Sequence, residues 1–290
     1  MQYRWFAGDA KIGMSDDMKK ERPPNDKTAY AAAQPDADQL HAFLSSRTGA
    51  PRRFNASKEM WPDTPALGYR LQQAVHEALI EKGSRLAGYK IGCISPESQQ
   101  PFQLDEPIYA RIYDQTRFKT LGQALSLPLI NPSIECEIAF RLGSSPQPDT
   151  VGDISEEELT EAITEAFIAC EVIDNRYDVT LSQIGAAALL ADDFLHAAFV
   201  LGPSRTEFDR TLFQNLRARA EIDGVVSTET PPFNLSPLAA LRWLVKKVHG
   251  HGGRLEAGQI VMTGSLLRPG PVRKGSAVRI EVEGFGHLEA

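Results

Sequence analysis

The sequence is poor in cysteine, holds no apolar run of membrane-spanning length and shows no stripe of basic residues. Each shortage removes a class of function. The three cysteines, Cys93, Cys136 and Cys170, are an odd number without metal-binding spacing, so neither a disulfide framework nor a zinc site is expected. All three sit in apolar segments, which reads as reduced core thiols of an intracellular protein. A net charge of −7 without a basic patch speaks against nucleic acid as a partner. It does not speak against an anionic substrate, because a bound cation sets the local field. Met1 to Lys20 lack the apolar centre of a signal peptide, so no membrane association is expected and the expected location is the cytoplasm.

What is present divides the 290 residues into three stretches. Residues 1–34 are polar, without sustained periodicity, and are expected to form a poorly ordered tail. Residues 35–83 are expected to be helical. Leu40, Phe43 and Leu44 suggest a short helix, and Thr64-Pro65 is a helix start with Leu67, Leu71, Val75 and Leu79 on one face and Gly83 as the stop. From 84 to 290 strand patterns dominate. Two helices are expected within them, one opened by Ser155 with Glu158 as a capping box and one by Ser236-Pro237. A hairpin is expected around Asp223-Gly224, and alternating strands at Gln259–Thr263 and Val278–Val282. The fold class is therefore α+β, a β-rich mixed-sheet domain with a smaller helical region before it.

One strand draws the chemistry together. Ile134, Cys136, Ile138 and Phe140 alternate with Glu135 and Glu137, so the two glutamates stand side by side on one strand face. A solvent-facing edge strand would tolerate such a pair without any partner. Glu171, however, lies inside the apolar run Phe167–Asp174, where a lone carboxylate wants a cation. Glu135, Glu137 and Glu171 together offer three hard oxygen ligands, a set suited to Mg²⁺ or Mn²⁺. Lys90, between Gly88 and Gly92, is a candidate acid/base beside them.

Gly88–Gly92, Ile134–Phe140, Glu171–Asp174 and Thr263–Leu266 occur in an order that resembles the fumarylacetoacetate hydrolase superfamily, in its hydratase/decarboxylase branch. The resemblance spans roughly residues 64 to 290. It implies that family's C-terminal-domain fold and a homo-oligomer. It further implies metal ligation by Glu135, Glu137 and Glu171, catalysis by Lys90, and substrate binding near Thr263, Gly264 and Ser265. The implied activity is a lyase acting on a short 2-oxo or 2-hydroxydienoic acid. Hydration and decarboxylation share these residues and stay open, as does a non-catalytic metal-binding relative.

Two stretches depart from the family pattern. Ile108 stands where many hydratase-like sequences carry an aspartate, and bulky Phe194, Leu195 and His196 replace small residues. His196 reads as a structural histidine, Arg176 as a partner for Asp174, and Asp105 and Glu106 as loop carboxylates in solvent. His249 and His251 look like a metal pair, although a helix C-terminus accounts for them equally.

Overall fold

The computed structural model describes residue 30 and residues 34–47, 53–54, 57–149, 153–229 and 235–290. The tail expected over 1–34 therefore lies outside the described residues, apart from 30 and 34. The first six strands, all in the larger, eight-stranded sheet, are β1 (Leu86–Gly92), β2 (Ile108–Tyr113), β3 (Arg117–Phe118), β4 (Pro132–Leu142), β5 (Ile163–Asp174) and β6 (His196–Arg205). A hairpin, β7 (Ala218–Ile222) and β8 (Val225–Glu229), is followed by β9 (Ile260–Ser265), β10 (Gly270–Pro271), β11 (Val278–Val282) and β12 (Gly286–Glu289). The larger sheet runs β2-β1-β9-β4-β5-β6-β3, with β10 paired to β4, and the smaller runs β12-β11-β7-β8. Pairing is mixed: β1 is parallel to β9, whereas β4 is antiparallel to both β9 and β5.

Helices appear where local signals place them. The longer helices are α1 (Ala37–Arg47), α2 (Pro65–Glu81), α3 (Glu156–Ala162), α4 (Ala186–Ala191) and α5 (Pro237–Gly250). Thr64 and Ser236 cap α2 and α5 by accepting from Leu67 N–H and Ala239 N–H, each at 3.2 Å. Ser155 and Glu158 form the expected capping box on α3. The Asp223-Gly224 turn has positive φ at both residues, the geometry a two-residue hairpin needs.

Packing separates the two faces of the larger sheet. On one face Ile134, Cys136, Ile138 and Phe140 join Leu241, Leu244 and Val245 of α5 in the main core. On the other, Ala139, Phe167, Ala169, Phe199, Ile260 and Met262 form a small apolar cluster of their own. Both faces of β4 are thus buried, and with β9 and β5 on its flanks it is a central strand. Helices α1, α2 and α4 make a third cluster, with Phe43, Leu71, Val75, Leu79 and Leu189 inside it. Gly68 lets α2 press against α4, since a Cβ there would sit 2.4 Å from the Ala187 carbonyl oxygen.

Candidate metal centre

The register of the larger sheet assembles the acidic residues. Glu135 on β4 pairs directly across from Glu171 on β5, and Glu137 stands two residues along the same face. Lys90 pairs with Met262 of β9, which in turn pairs with Ala139, so Lys90 reaches the same face two strands away. One oxygen from each of Glu135, Glu137 and Glu171 lies within 4.8 Å of the others, the one such group among the described residues. Glu137, Glu171 and Lys90 are buried, and Glu135 is half-buried.

Three carboxylates here face one ammonium, a surplus of two negative charges when all three are ionised. At 4.8 Å each carboxylate pair repels by about 3 kcal/mol if the effective dielectric is about 20. The protonation pattern follows. Lys90 Nζ lies 2.7 Å from Glu171 Oε1, and His196 Nδ1 lies 2.8 Å from the same oxygen. Burial alone would raise Glu171, but Lys90 and His196 hold its carboxyl below the usual range. Burial, then Glu171, pushes Glu135 up to about 7 against the pull of Lys90. Burial also drives Glu137 well above the ordinary carboxylate range, with Glu171 and Glu135 adding to it. Lys90 stays charged: burial opposes it, but Glu171 and Glu135 outweigh burial. Burial disfavours the imidazolium of His196, so it is the neutral member of the group.

One atom tests whether a cation fits. Glu137 Oε2 accepts the Gly264 N–H at 2.8 Å, whereas its Oε1 is buried and has no hydrogen-bond partner among the described residues. An orphaned buried carboxylate oxygen beside two further carboxylates is what a divalent ion satisfies. The donor set is all oxygen, which suits Mg²⁺ or Mn²⁺ over zinc.

The residues proposed near the substrate are placed as follows. Strand β9 continues through Ser265, so Gly264 and Ser265 lie within it and do not follow its end. Thr263 Oγ1 donates to the Ile138 carbonyl at 2.8 Å and Ser265 Oγ to the Leu267 carbonyl at 2.6 Å. Ile108 lies against Gly92, its Cδ1 3.0 Å from where a Cβ at Gly92 would sit, and Phe194 lies just beyond. Lys90 Nζ also donates to the Phe194 carbonyl at 3.0 Å and sits 5.8 Å from the centre of the Phe194 ring.

Several sequence readings need correction. Arg176 pairs with Asp192, while the Asp174 carboxylate accepts the N–H groups of Ile130 and Asn131. Its direct ion pair is therefore with Asp192, because backbone N–H groups occupy the Asp174 carboxylate. Burial raises the Asp174 carboxyl, and Arg176 still acts on it through its charge, pulling against burial. Glu106 does not stand free in solvent: it accepts from Lys247 Nζ at 2.8 Å and from Trp243 Nε1 at 3.1 Å. His251 terminates α5, stacks on Tyr30 and lies 2.8 Å from Tyr109 OH, outside the acidic group.

The segment before β6 is where sequence reasoning saw least. Asp193, Phe194 and Leu195 all have φ between 48° and 67°. Left-handed backbone at non-glycine residues costs about 1 kcal/mol or more each, so something must hold it. Two arginines do, Arg47 on Asp193 at 2.9 Å and Arg176 on Asp192. The turn delivers the Phe194 carbonyl to Lys90 and the His196 ring to Glu171. A histidine at the start of a strand carries no local mark of that destination.

Known proteins agree with this architecture. Residues 96–290 match the family model described as fumarylacetoacetate (FAA) hydrolase C-terminal, a span that begins just after Lys90. The chain is 30% identical over 229 residues to the TodF product hydratase of Pseudomonas putida, covering 77% of this chain and 82% of that protein. It is 29% identical to the 2-keto-4-pentenoate hydratase of Paraburkholderia phymatum over 272 residues, covering 88% and 95%. Among solved structures it is similar to a 4-oxalocrotonate decarboxylase from Pseudomonas putida complexed with magnesium and adipate. That match has a TM-score of 0.74 at 20% identity and covers 89% of this chain and 98% of the other. With most of its length accounted for by that model, the chain belongs to the FAA hydrolase C-terminal family.

Proposed function

We propose that the protein is a metal-dependent lyase that hydrates a short 2-hydroxy-2,4-dienoate, as its curated relatives' names suggest. The observation that carries this reading is the gathering of three carboxylates against one ammonium on a buried sheet face, with Glu137 Oε1 left unpartnered. Glu135, Glu137 and Glu171 would hold Mg²⁺ or Mn²⁺. When bound, such an ion supplies Lewis-acid stabilisation of negative charge developing on a 2-oxo oxygen.

The remaining work falls to the chain's own residues. Lys90 is charged and adjoins the carboxylates, so it can anchor the substrate carboxylate or deliver a proton to C5 of the dienol. Water then adds at C4 of the resulting enone. Ile108 places no acid beside Gly92, and Glu106 is engaged by Lys247, so neither supplies that proton. Gly264 N–H orients Glu137, and Thr263, Gly264 and Ser265 would lie beside the substrate through that contact. Homo-oligomer formation is part of the proposal, and a monomer by light scattering would remove that part.

The apolar Ile108 favours a second reading, decarboxylation of a 4-oxalocrotonate-type acid, which needs no added water. Offering 2-hydroxypenta-2,4-dienoate and 4-oxalocrotonate separately with Mg²⁺, and following ultraviolet loss and CO₂ release, separates the two. Turnover of the first is expected. CO₂ from the second alone would replace hydration with decarboxylation, and silence on both would overturn the lyase reading.

A further inference from the structure

Lys90 Nζ and His196 Nδ1 converge on one atom, Glu171 Oε1, at 2.7 and 2.8 Å. An ionised carboxylate oxygen only accepts, so Nδ1 carries the hydrogen and Nε2 faces the Thr116 hydroxyl at 2.9 Å. The Thr116 hydroxyl also lies 2.8 Å from the Tyr113 carbonyl, and with the ring neutral its one hydrogen must turn to Nε2 for both ring nitrogens to be partnered. The His196 side chain is buried. As a charge partner for Glu171 the histidine is redundant, because Lys90 already neutralises that oxygen. As packing it is a poor choice, because a phenylalanine or leucine would fill the same space beside Phe199 without burying two polar atoms. The second donor becomes necessary if Lys90 leaves Oε1 for the substrate during turnover.

We propose that His196 is a positioning residue for the metal centre. It holds Glu171 Oε1 through Nδ1–H, so that Oε2 faces the ion and stays there when Lys90 turns to the substrate. Thr116 fixes the ring from its other edge. This rests on the metal reading above and deepens it, since it assigns which oxygen of Glu171 is left for the ion. Hydrogen bonds to a ligating carboxylate of this kind typically change metal affinity by about tenfold to a hundredfold.

The test is calorimetric titration of the chelator-stripped full chain with Mn²⁺, with unfolding midpoints in chelator as a check on folding. His196→Phe keeps a ring and removes the donor, and should weaken Mn²⁺ binding by about tenfold or more. His196→Asn places an amide N–H close to the Nδ1 position and should stay within about threefold of the parent. Activity lost in His196→Phe should return at saturating Mn²⁺, whereas activity lost in Lys90→Met should not, its Mn²⁺ affinity being retained through His196. Parent-like affinity in His196→Phe overturns the proposal, as does equal weakening in the Asn and Phe variants, which would mark the ring as packing. Should the Phe variant fail to fold, Thr116→Val carries the test: a few-fold weakening is expected, and unchanged affinity in it overturns the role. A parent that binds no Mn²⁺ removes the metal reading itself, and is distinguished from these outcomes by the parent's own titration.

Discussion

Two buried charge clusters meet at the segment running from Asp192 to His196, and they are balanced differently. In one, Asp192 and Asp193 face Arg176 and Arg47, two acids against two bases. In the other, Glu135, Glu137 and Glu171 face Lys90 alone. The first is balanced in charge and pins a left-handed turn, although Asp192 Oδ2 and Arg176 Nε are buried without a hydrogen-bond partner among the described residues. The second sets three acids against one base, and it answers with two raised carboxyl groups and an unpartnered Glu137 Oε1. Burial of charge is common to both, so burial does not mark the functional cluster; imbalance does.

Substitutions should respond accordingly. Glu137→Ala is expected to lower turnover by about a thousandfold, the equivalent of about 4 kcal/mol of lost charge stabilisation, measured as kcat/KM at fixed Mg²⁺. The same change should leave the metal-free protein as stable as the parent or more so, because it removes a repelled carboxyl. Asp192→Ala should do the reverse. It leaves Arg176 buried without its acid and should destabilise the fold by roughly 3–5 kcal/mol in urea, with or without metal. If both variants lose stability equally, the distinction between the clusters fails.

Metal and pH act on the unbalanced cluster alone. Saturating Mn²⁺ at about a hundred times its Kd should stabilise the protein by about 2.7 kcal/mol, visible as a thermal shift that chelation reverses. In Glu137→Ala the shift should vanish, and in a turn variant such as Arg47→Met it should survive. Glu135 has its carboxyl raised to about 7 from 4.5, so the metal-free fold binds that proton more tightly than the unfolded chain does. Its contribution to stability is complete below about pH 4.5 and is lost as pH rises through about 7. Unfolding midpoints should therefore fall between about pH 5 and about pH 8 without metal and hold level with Mn²⁺, which replaces the proton. The smallest effect belongs to the half-exposed pair Arg141–Glu165, at 2.5 Å: Arg141→Met should cost no more than about 1 kcal/mol.

The sequence exposed those features that are local. Period-2 alternation put Glu135 and Glu137 on one strand face, and Thr64-Pro65, Ser155 with Glu158, and Ser236-Pro237 marked helix starts that the structure keeps. Asp223-Gly224 marked its hairpin. The rest depends on partners far along the chain. That Glu171 faces Glu135 is set by the β4–β5 register, and that Arg176 turns to Asp192 follows from Asp174 being occupied by backbone N–H groups. Phe194 and Leu195 disfavour left-handed backbone on their own, so no propensity announces the turn they make. His196 was hidden for the same reason, since its partner is reached only through that turn.

The place of β9 in the larger sheet has a consequence for how the molecule is made. Residues 260–265 lie between β1, which carries Lys90, and β4, which carries Glu135 and Glu137. On a ribosome, β1 and β2 can pair early, and β4, β5 and β6 can follow as a meander. Neither half touches the other through a strand until the C-terminal portion emerges and slots between them. Gly88 makes that insertion exact, as a Cβ there would lie 1.9 Å from the Ile260 carbonyl oxygen. A nascent chain halted before residue 260 should therefore hold its acidic strands without Lys90 held beside them and without the Gly264 N–H that orients Glu137, and gain both only in the last stage of synthesis.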